Sequence, residues 1–353
     1  MSLWLIVSVS SVPSEGPLAG TRILDLTRLL PGAYATLLLA DLGADVVKIE
    51  DPRGGDGMRT LPAGSRPYFD LLNRKKRSVT LDLRSPESRG VLDALLARSD
   101  VVVESFRPST ARRLGVDGAT LRARHPRLVC ASISGFGQTG PDAERAAHDI
   151  NYQALAGLLL AAESPPTVRM PGPLVADIGG AMQAALAIAA ALFARERTGE
   201  GAAIDVPLGD AARAWTFFPA TADLESACYT LYETRDGEWL ALGALEPKFW
   251  TGFCERLGRP DLVPLHRVRG DEGARVLAET RAIMKTRTKA EWLTMFAGAD
   301  VCLTDVVAPP SDSVSAADDP DRAPSLGAHT DEVLAAAGLD AGAIARLRAA
   351  GVI

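Results

Sequence analysis

The sequence predicts an α/β protein: a Rossmann-like large domain built on a parallel sheet, then a smaller α+β domain. Three observations carry that expectation. Short β-rich runs alternate with apolar runs of helical period through the first half of the chain, the pattern of a parallel sheet with crossover helices. From Asp177 to Gly199 the chain is almost uninterruptedly apolar, as in a helix buried on most sides. Beyond it, two strand-like runs joined by a Gly turn precede amphipathic helices. The expected bounds are 1–205 for the large domain, 206–310 for the small one and 311–353 for a C-terminal segment that returns to the large domain.

Taken in order, "RILDL" reads as the first strand. Pro31-Gly32 turns it into an apolar helix stopped by Gly43, and "ADVVKIE" is the next strand. "SVTLDL" leads into the helix of "SPESRGVLDALLARSD", with Ser85 expected to open it and Pro86 at its first position. "VVVESF" and "RLVCASIS" are strands on either side of a basic helix. After the long apolar helix come a strand in "AAIDVPLGD" and a hairpin of "ACYTLYET" and "EWLALGAL" about "RDG". Helices around "PKFWTGFCERLG" and "TKAEWLTMFAGAD" follow, and two short helices close the tail.

Composition narrows the function. The 353 residues are 47% hydrophobic and 23% charged, enough for a sizeable core. A net charge of −6 and a pI of about 5.4 argue against a nucleic-acid or membrane-surface binder, so an anionic ligand would need a local basic patch. Cys130, Cys228, Cys254 and Cys302 are scattered without metal-ligand spacing, which predicts reduced core cysteines, no bound metal and a cytoplasmic protein. The apolar run Leu3–Val9 is too short to span a bilayer and has no basic residue before it, so it is expected to be an extension and not a secretion signal.

Several residues stand out as candidates, each with a plainer alternative. "GFGQTG" matches GxGxxG, but Pro141 and the charged "DAER" follow where an apolar helix should open. A glycine loop beside a site fits better than a dinucleotide fingerprint. Arg74, Lys75, Lys76 and Arg77 form either a solvated face or a phosphate-binding rim. Arg107 follows a predicted parallel strand, where α/β ligands bind. Asp177 reads as an N-cap or as a nucleophile or proton carrier, with Gly179-Gly180 beside it allowing a ligand close to the backbone. His148 and Asp149 open a helix: Asp149 can cap it while its N–H holds an oxyanion. Glu246, set among apolar residues at a strand end, is expected to be buried and therefore partnered, a histidine being a natural partner.

The segments "GPLAGTRILDLTRLLPGAYATLLLADLGADVVKIE", "NRKKRSVTLDL", "ESFRPS", "SGFGQTGP", "HDINYQALAG", "DIGGAMQAALAIAAALFARERTGEG" and "YETRDGEWLALGALEPKFW" occur together and in this order. As a set they resemble family III CoA-transferases (CaiB/BaiF), and "AHDINY" is similar to the α-methylacyl-CoA racemase branch. The resemblance implies an acyl-CoA substrate and no further cofactor. It also implies an interlocked homodimer whose site forms between large and small domains of different subunits. Carried over, His148 and Asp177 become an acid/base pair on opposite faces of the α-carbon. Glu246 would orient the imidazole, the N–H of Asp149 would hold the enolate oxygen, and the basic cluster with Arg107 would face the nucleotide and pyrophosphate. Two other readings remain open: acyl transfer with Asp177 as nucleophile, and a non-catalytic acyl-CoA-binding protein. Contracted segments before "YTLYET" and "APSLGAHTDEV" motivate the last.

Overall fold

A computed structural model describes residues 16–60, 66–161, 167–217, 225–308 and 322–353. These fall into two compact units. The first holds residues 16–160, 168–217 and 322–353, and the second 161, 167 and 225–308. The division after residue 217 differs from the expected boundary at 205, which would have cut a strand of the main sheet.

The first unit begins with β1 (Arg22–Asp25), α1 (Leu29–Asp41), β2 (Asp45–Glu50), α2 (Arg66–Leu72), β3 (Arg77–Thr80), α3 (Ser88–Leu96) and β4 (Val101–Glu104). It continues through α4 (Pro108–Leu114), α5 (Gly118–Arg124), β5 (Val129–Ser134) and α6 (Asp149–Ala156). The two-residue strands β6 (Leu160–Ala161) and β7 (Thr167–Val168) pair with each other. Then come α7 (Val175–Thr198), β8 (Ala203–Pro207) and α8 (Leu208–Arg213). The six-stranded sheet has the order β3-β2-β1-β4-β5-β8 and every pair is parallel. Leu24 of β1 sits opposite Val47 on one side and Val102 on the other. Helices cover both faces, which is why β4 and β5 are buried along their whole length and read as continuous apolar runs. The order reverses between β1 and β4, and the C-terminal strand ends there form the crevice where such sheets bind ligands.

Polar exceptions to the buried sheet concentrate at that same edge. Asp25, Lys48 and Glu50 are buried at the ends of β1 and β2, and Glu104 ends β4. Asp25 accepts from Thr27 and Thr36 hydroxyls and lies 3.1 Å from Lys76 Nζ. Burial alone would raise its pKa, but Lys48 and Lys76 outweigh it and bring the carboxyl down to about 2. The C-terminal α12 (Thr330–Ala336) and α13 (Ala341–Ala349) return to this unit. The His329 N–H donates to Ser78 O, the Asp82 N–H to Val352 O, and Val352 and Ile353 join the core.

Two local expectations are corrected here. Ser85 does not open α3; it forms the preceding turn, accepting the Glu87 N–H, and the helix starts at Ser88. Nor is α7 buried on most sides. Ala181, Ala184, Ile188 and Leu192 face the core, while Met182, Leu186 and Phe193 form an exposed apolar stripe. By length and composition α7 could cross a membrane, but its buried face packs with α1 and the sheet in one core cluster. Small residues permit that approach: a Cβ on Gly180 would stand 2.4 Å from Leu208 Cδ2, and one on Gly179 3.0 Å from Trp215 Nε1. The two glycines serve helix packing, not ligand approach.

The second unit holds an antiparallel sheet in the order β11-β10-β9, from β9 (Tyr229–Glu233), β10 (Trp239–Gly243) and β11 (Leu303–Asp305). Helices α9 (Pro247–Leu257), α10 (Gly270–Met284) and α11 (Lys289–Met295) accompany it. Trp250, Phe253, Met284 and Trp292 share its core. Helix α10 escapes a composition-based reading because it is mostly polar, yet Val276, Thr280 and Met284 recur every fourth residue and bury one stripe. Three of the four cysteines are buried; Cys302 is exposed, in contrast to the core role expected of it.

Candidate active site

Beyond the C-terminal ends of β1, β4 and β5, the first unit has a cavity of about 580 Å³. His148, Asn151, Tyr152 and Asp177 line it together with Arg28, Arg107 and Arg145. The structure therefore brings His148 and Asp177, 29 residues apart in sequence, to one cavity. Asp149, between them in the argument, has a different place from the one expected.

Asp149 is buried and caps α7, not its own helix. Its Oδ1 accepts the N–H groups of Ala176 (2.9 Å) and Asp177 (3.0 Å), and its other oxygen accepts from the Gln153 amide. One carboxylate thus satisfies two of the donors that the start of α7 cannot pair internally. That arrangement corrects the expectation that Asp177 is an N-cap. Asp177 lies in the first turn of α7, with its side chain free to face the cavity. The backbone N–H of Asp149 opens α6, whose cap residue is His148; the His148 N–H itself donates to Asn151 Oδ1 at 2.9 Å.

Burial, reinforced by the charge of Asp149, raises the Asp177 pKa from 3.8 to about 7. A carboxyl so placed exchanges its proton readily near neutral pH. The His148 side chain is exposed at the cavity wall. Behind the site, Tyr152 meets Phe136 edge-on at 5.4 Å and donates its hydroxyl to Ala147 O. A Cβ on Gly135 would stand 2.6 Å from the Tyr152 hydroxyl, so the first glycine of "GFGQTG" is needed for packing behind the cavity.

Arg107 lines the cavity from the N-cap position of α4. The other four basic candidates do not form an open anion rim, and that reading is corrected. Arg74 and Lys75 both pair with Asp41, at 2.7 and 3.0 Å. Arg77 pairs with Asp45 and Glu332. Lys76 is buried, and its ammonium donates to Asp25, Ala33 O, Thr36 and Asn73. Four acceptors around its three N–H groups satisfy the desolvated ammonium and leave it nothing for a ligand. Glu246 is also corrected: it is the exposed N-cap of α9 in the second unit, followed by Pro247 at the first helical position.

Arg28 and Arg145 were not singled out in the sequence. Arg28 carries a usable signal, since it lies three residues after the end of β1, on the ligand-binding edge. Arg145 sits in a charged loop without one. A second cavity of about 190 Å³ adjoins the first, lined from the ends of β1, β2 and the loop after β3 by Asp51, Asp82 and Arg84 among others. Arg28 and Phe106 line both. Among the described residues, no group of three or more His, Cys, Asp or Glu side chains is placed to hold a metal ion.

Comparison with known proteins agrees with this architecture. A family model described as CoA-transferase family III matches residues 18–320. The chain is similar to the alpha-methylacyl-CoA racemase of Homo sapiens, with 36% identity over 308 residues that cover 82% of this chain and 78% of that protein. It is similar at 38% identity to a succinyl-CoA:mesaconate CoA-transferase of Haloarcula hispanica, over 70% of this chain and 69% of that one. Among solved structures, a CAIB/BAIF family protein from Brucella suis superimposes with a TM-score of 0.74 at 28% identity, covering 92% of this chain and 100% of that one. Racemases and transferases are both among its relatives, and with the family model matched over residues 18–320 the chain belongs to CoA-transferase family III, a family of enzymes.

Proposed function

We propose that the protein racemises or epimerises 2-methylacyl-CoA thioesters by moving the α-proton through an enolate. The observation that supports this most is the pairing of His148 and Asp177 in one cavity. An α-proton next to a thioester is weakly acidic, so its removal needs a base and donors for the enolate oxygen at the same time. His148 and Asp177 would serve opposite faces of the α-carbon: one takes the proton as the C–H bond breaks, and the other delivers a proton to the opposite face. The Asp149 N–H at the start of α6 would hold the enolate oxygen, helped by the positive end of the helix. The adjoining cavity gives the long carrier somewhere to extend.

Incubation of a 2-methylacyl-CoA with the protein in D₂O, followed by proton NMR, tests the reading. Loss of the α-proton signal is expected, and with it inversion of a single stereoisomer. No exchange by the wild-type protein would overturn it.

The transferase relatives favour a second reading, in which Asp177 attacks the thioester and carries the acyl group. The CoA thiolate leaves and then attacks the Asp177 carbonyl of the anhydride, releasing the donor acid and leaving CoA as a thioester on Asp177. An acceptor carboxylate displaces the thiolate to form a new anhydride, and the thiolate attacks the acceptor carbonyl to give the new acyl-CoA and free Asp177. Trapping of an enzyme-bound acyl group by hydroxylamine, dependent on Asp177, would favour this reaction over racemisation.

We also infer that the protein associates through the exposed stripe of α7. Met182, Leu186 and Phe193 are 45%, 73% and 61% exposed, and contiguous apolar surface of this kind is usually covered by a partner. A second copy is the partner the reading requires. Sedimentation as a dimer is expected, and a monomer at micromolar concentration would refute it.

A further inference from the structure

Arg28 sits where the two cavities meet, and the residue that follows it is held in an unusual backbone form. Its guanidinium lies over the Phe106 ring, 5.3 Å from the centroid. Arg28 and Phe106 are the described residues that line both cavities. Among the described residues no carboxylate lies within ion-pairing distance of Arg28, whereas most other arginines along this edge are paired. Its charge reaches the Asp51 carboxylate, whose pKa it helps to lower, but a cation that makes no direct ion pair and rests on an aromatic face is available to an anion.

The turn that aims it is constrained from both sides. Arg28 itself is extended, but Leu29 has φ 63°, a left-handed conformation that β-carbon-bearing residues rarely adopt. The Arg28 N–H donates to Ser105 Oγ at 2.9 Å, from the loop after β4. The Leu29 N–H is shared by the two oxygens of Asp56 at 3.2 and 3.3 Å, from the loop after β2. Asp56 is buried and anchored in turn, with Lys48 Nζ at 3.0 Å and the Met58 N–H donating to it at 3.0 Å. The neighbours of β1 on either side of the sheet thus grip consecutive peptide groups.

We propose that Asp56 and Ser105 are positioning residues for ligand binding: they hold the Arg28–Leu29 turn in the form that lays the Arg28 guanidinium across the partition between the cavities. There it binds the anionic phosphate linkage of a ligand occupying both. The proposal rests on the acyl-CoA reading given above. Ser105 lines the first cavity and Asp56 the second, but the role assigned to them is exerted through Arg28, so their effects depend on Arg28 being present.

The test is a double-mutant cycle on the full-length protein, read as the Kd of coenzyme A by calorimetry, with melting temperatures measured alongside. Arg28→Ala is expected to weaken binding about tenfold and to flatten its salt dependence, as loss of one charge-assisted contact does. Ser105→Ala and Asp56→Asn are each expected to weaken binding about three- to tenfold when Arg28 is present, and less than about twofold in the Arg28→Ala background. Ser105→Thr keeps the hydroxyl and restores the affinity. Should Asp56→Asn disturb the buried pair with Lys48 enough to prevent folding, the Ser105 cycle decides alone, because that side chain lies outside the charged core. Additive losses in both backgrounds overturn the positioning role while leaving the acyl-CoA reading intact. Absence of coenzyme A binding by the wild-type protein overturns both.

Discussion

Replacing Asp177 by Asn should remove activity and stabilise the protein, with a pH dependence that identifies the cause. In the folded chain the Asp177 carboxyl titrates near 7, raised by burial and then by Asp149, against 3.8 when unperturbed. Well below pH 3.8 the group is protonated in both folded and unfolded states and imposes no penalty. As pH rises toward 7 the unfolded chain releases its proton while the folded chain retains it, and stability falls. At 1.36 kcal/mol per pH unit, the full displacement corresponds to a ceiling of about 4 kcal/mol. Water at the cavity mouth and local relaxation reduce this, so about 1–3 kcal/mol is expected. Asparagine carries no charge at any pH and leaves the Asp149 cap on the backbone unaltered. The assay is thermal unfolding of both proteins from pH 4 to pH 9. The melting temperatures should lie closest together at pH 4 and separate as pH rises, with Asp177→Asn leading by a few degrees at pH 8. A difference that does not change with pH, or a variant less stable at pH 8, would refute the account of a strained, raised carboxyl. The same variant should lose α-proton exchange, as expected where function requires a group that the fold alone would discard.

Other outcomes follow from the same geometry. His148→Ala is expected to abolish α-proton exchange while coenzyme A affinity stays within about twofold, because the imidazole is exposed at the cavity wall. Lys76→Ala should destabilise the protein by about 3–5 kcal/mol, since it strands part of a buried charge network around Asp25, whereas Lys75→Ala at the surface should stay within about 1 kcal/mol. Urea unfolding distinguishes the two lysines. Gly180→Ala forces a Cβ to within 2.4 Å of Leu208 and should cost about 1–3 kcal/mol by the same assay. Glu104 has its carboxyl raised to about 7 by burial, with one oxygen unpaired, so Glu104→Gln should be neutral at pH 4 and stabilising above pH 7.

The sequence by itself determined the architecture and the chemical candidates. Alternation of β-rich and helical runs is a local property, set by which side chains can cover both faces of a strand, and it survives into the six parallel strands and their helices. His148, Asp177 and Arg107 were legible for a related reason. Each lies beside a strand end or helix start, and on the ligand-binding edge of a parallel sheet those positions converge. What tertiary structure decided was pairing at a distance. Whether Lys75 and Lys76 face water or a carboxylate depends on Asp41 and Asp25, tens of residues away, and no charge pattern along the chain reports that. Likewise, the Asp149 carboxylate could have capped its own helix; it caps α7 because the two helix starts meet in space. Burial raises the Asp177 pKa, and that meeting adds a second charge beside it that lifts it further, to about 7. The grip of Asp56 and Ser105 on the Arg28–Leu29 turn was hidden for the same physical reason: neighbouring strands of a parallel sheet are distant in sequence, so contacts between the loops that follow them exist only after folding.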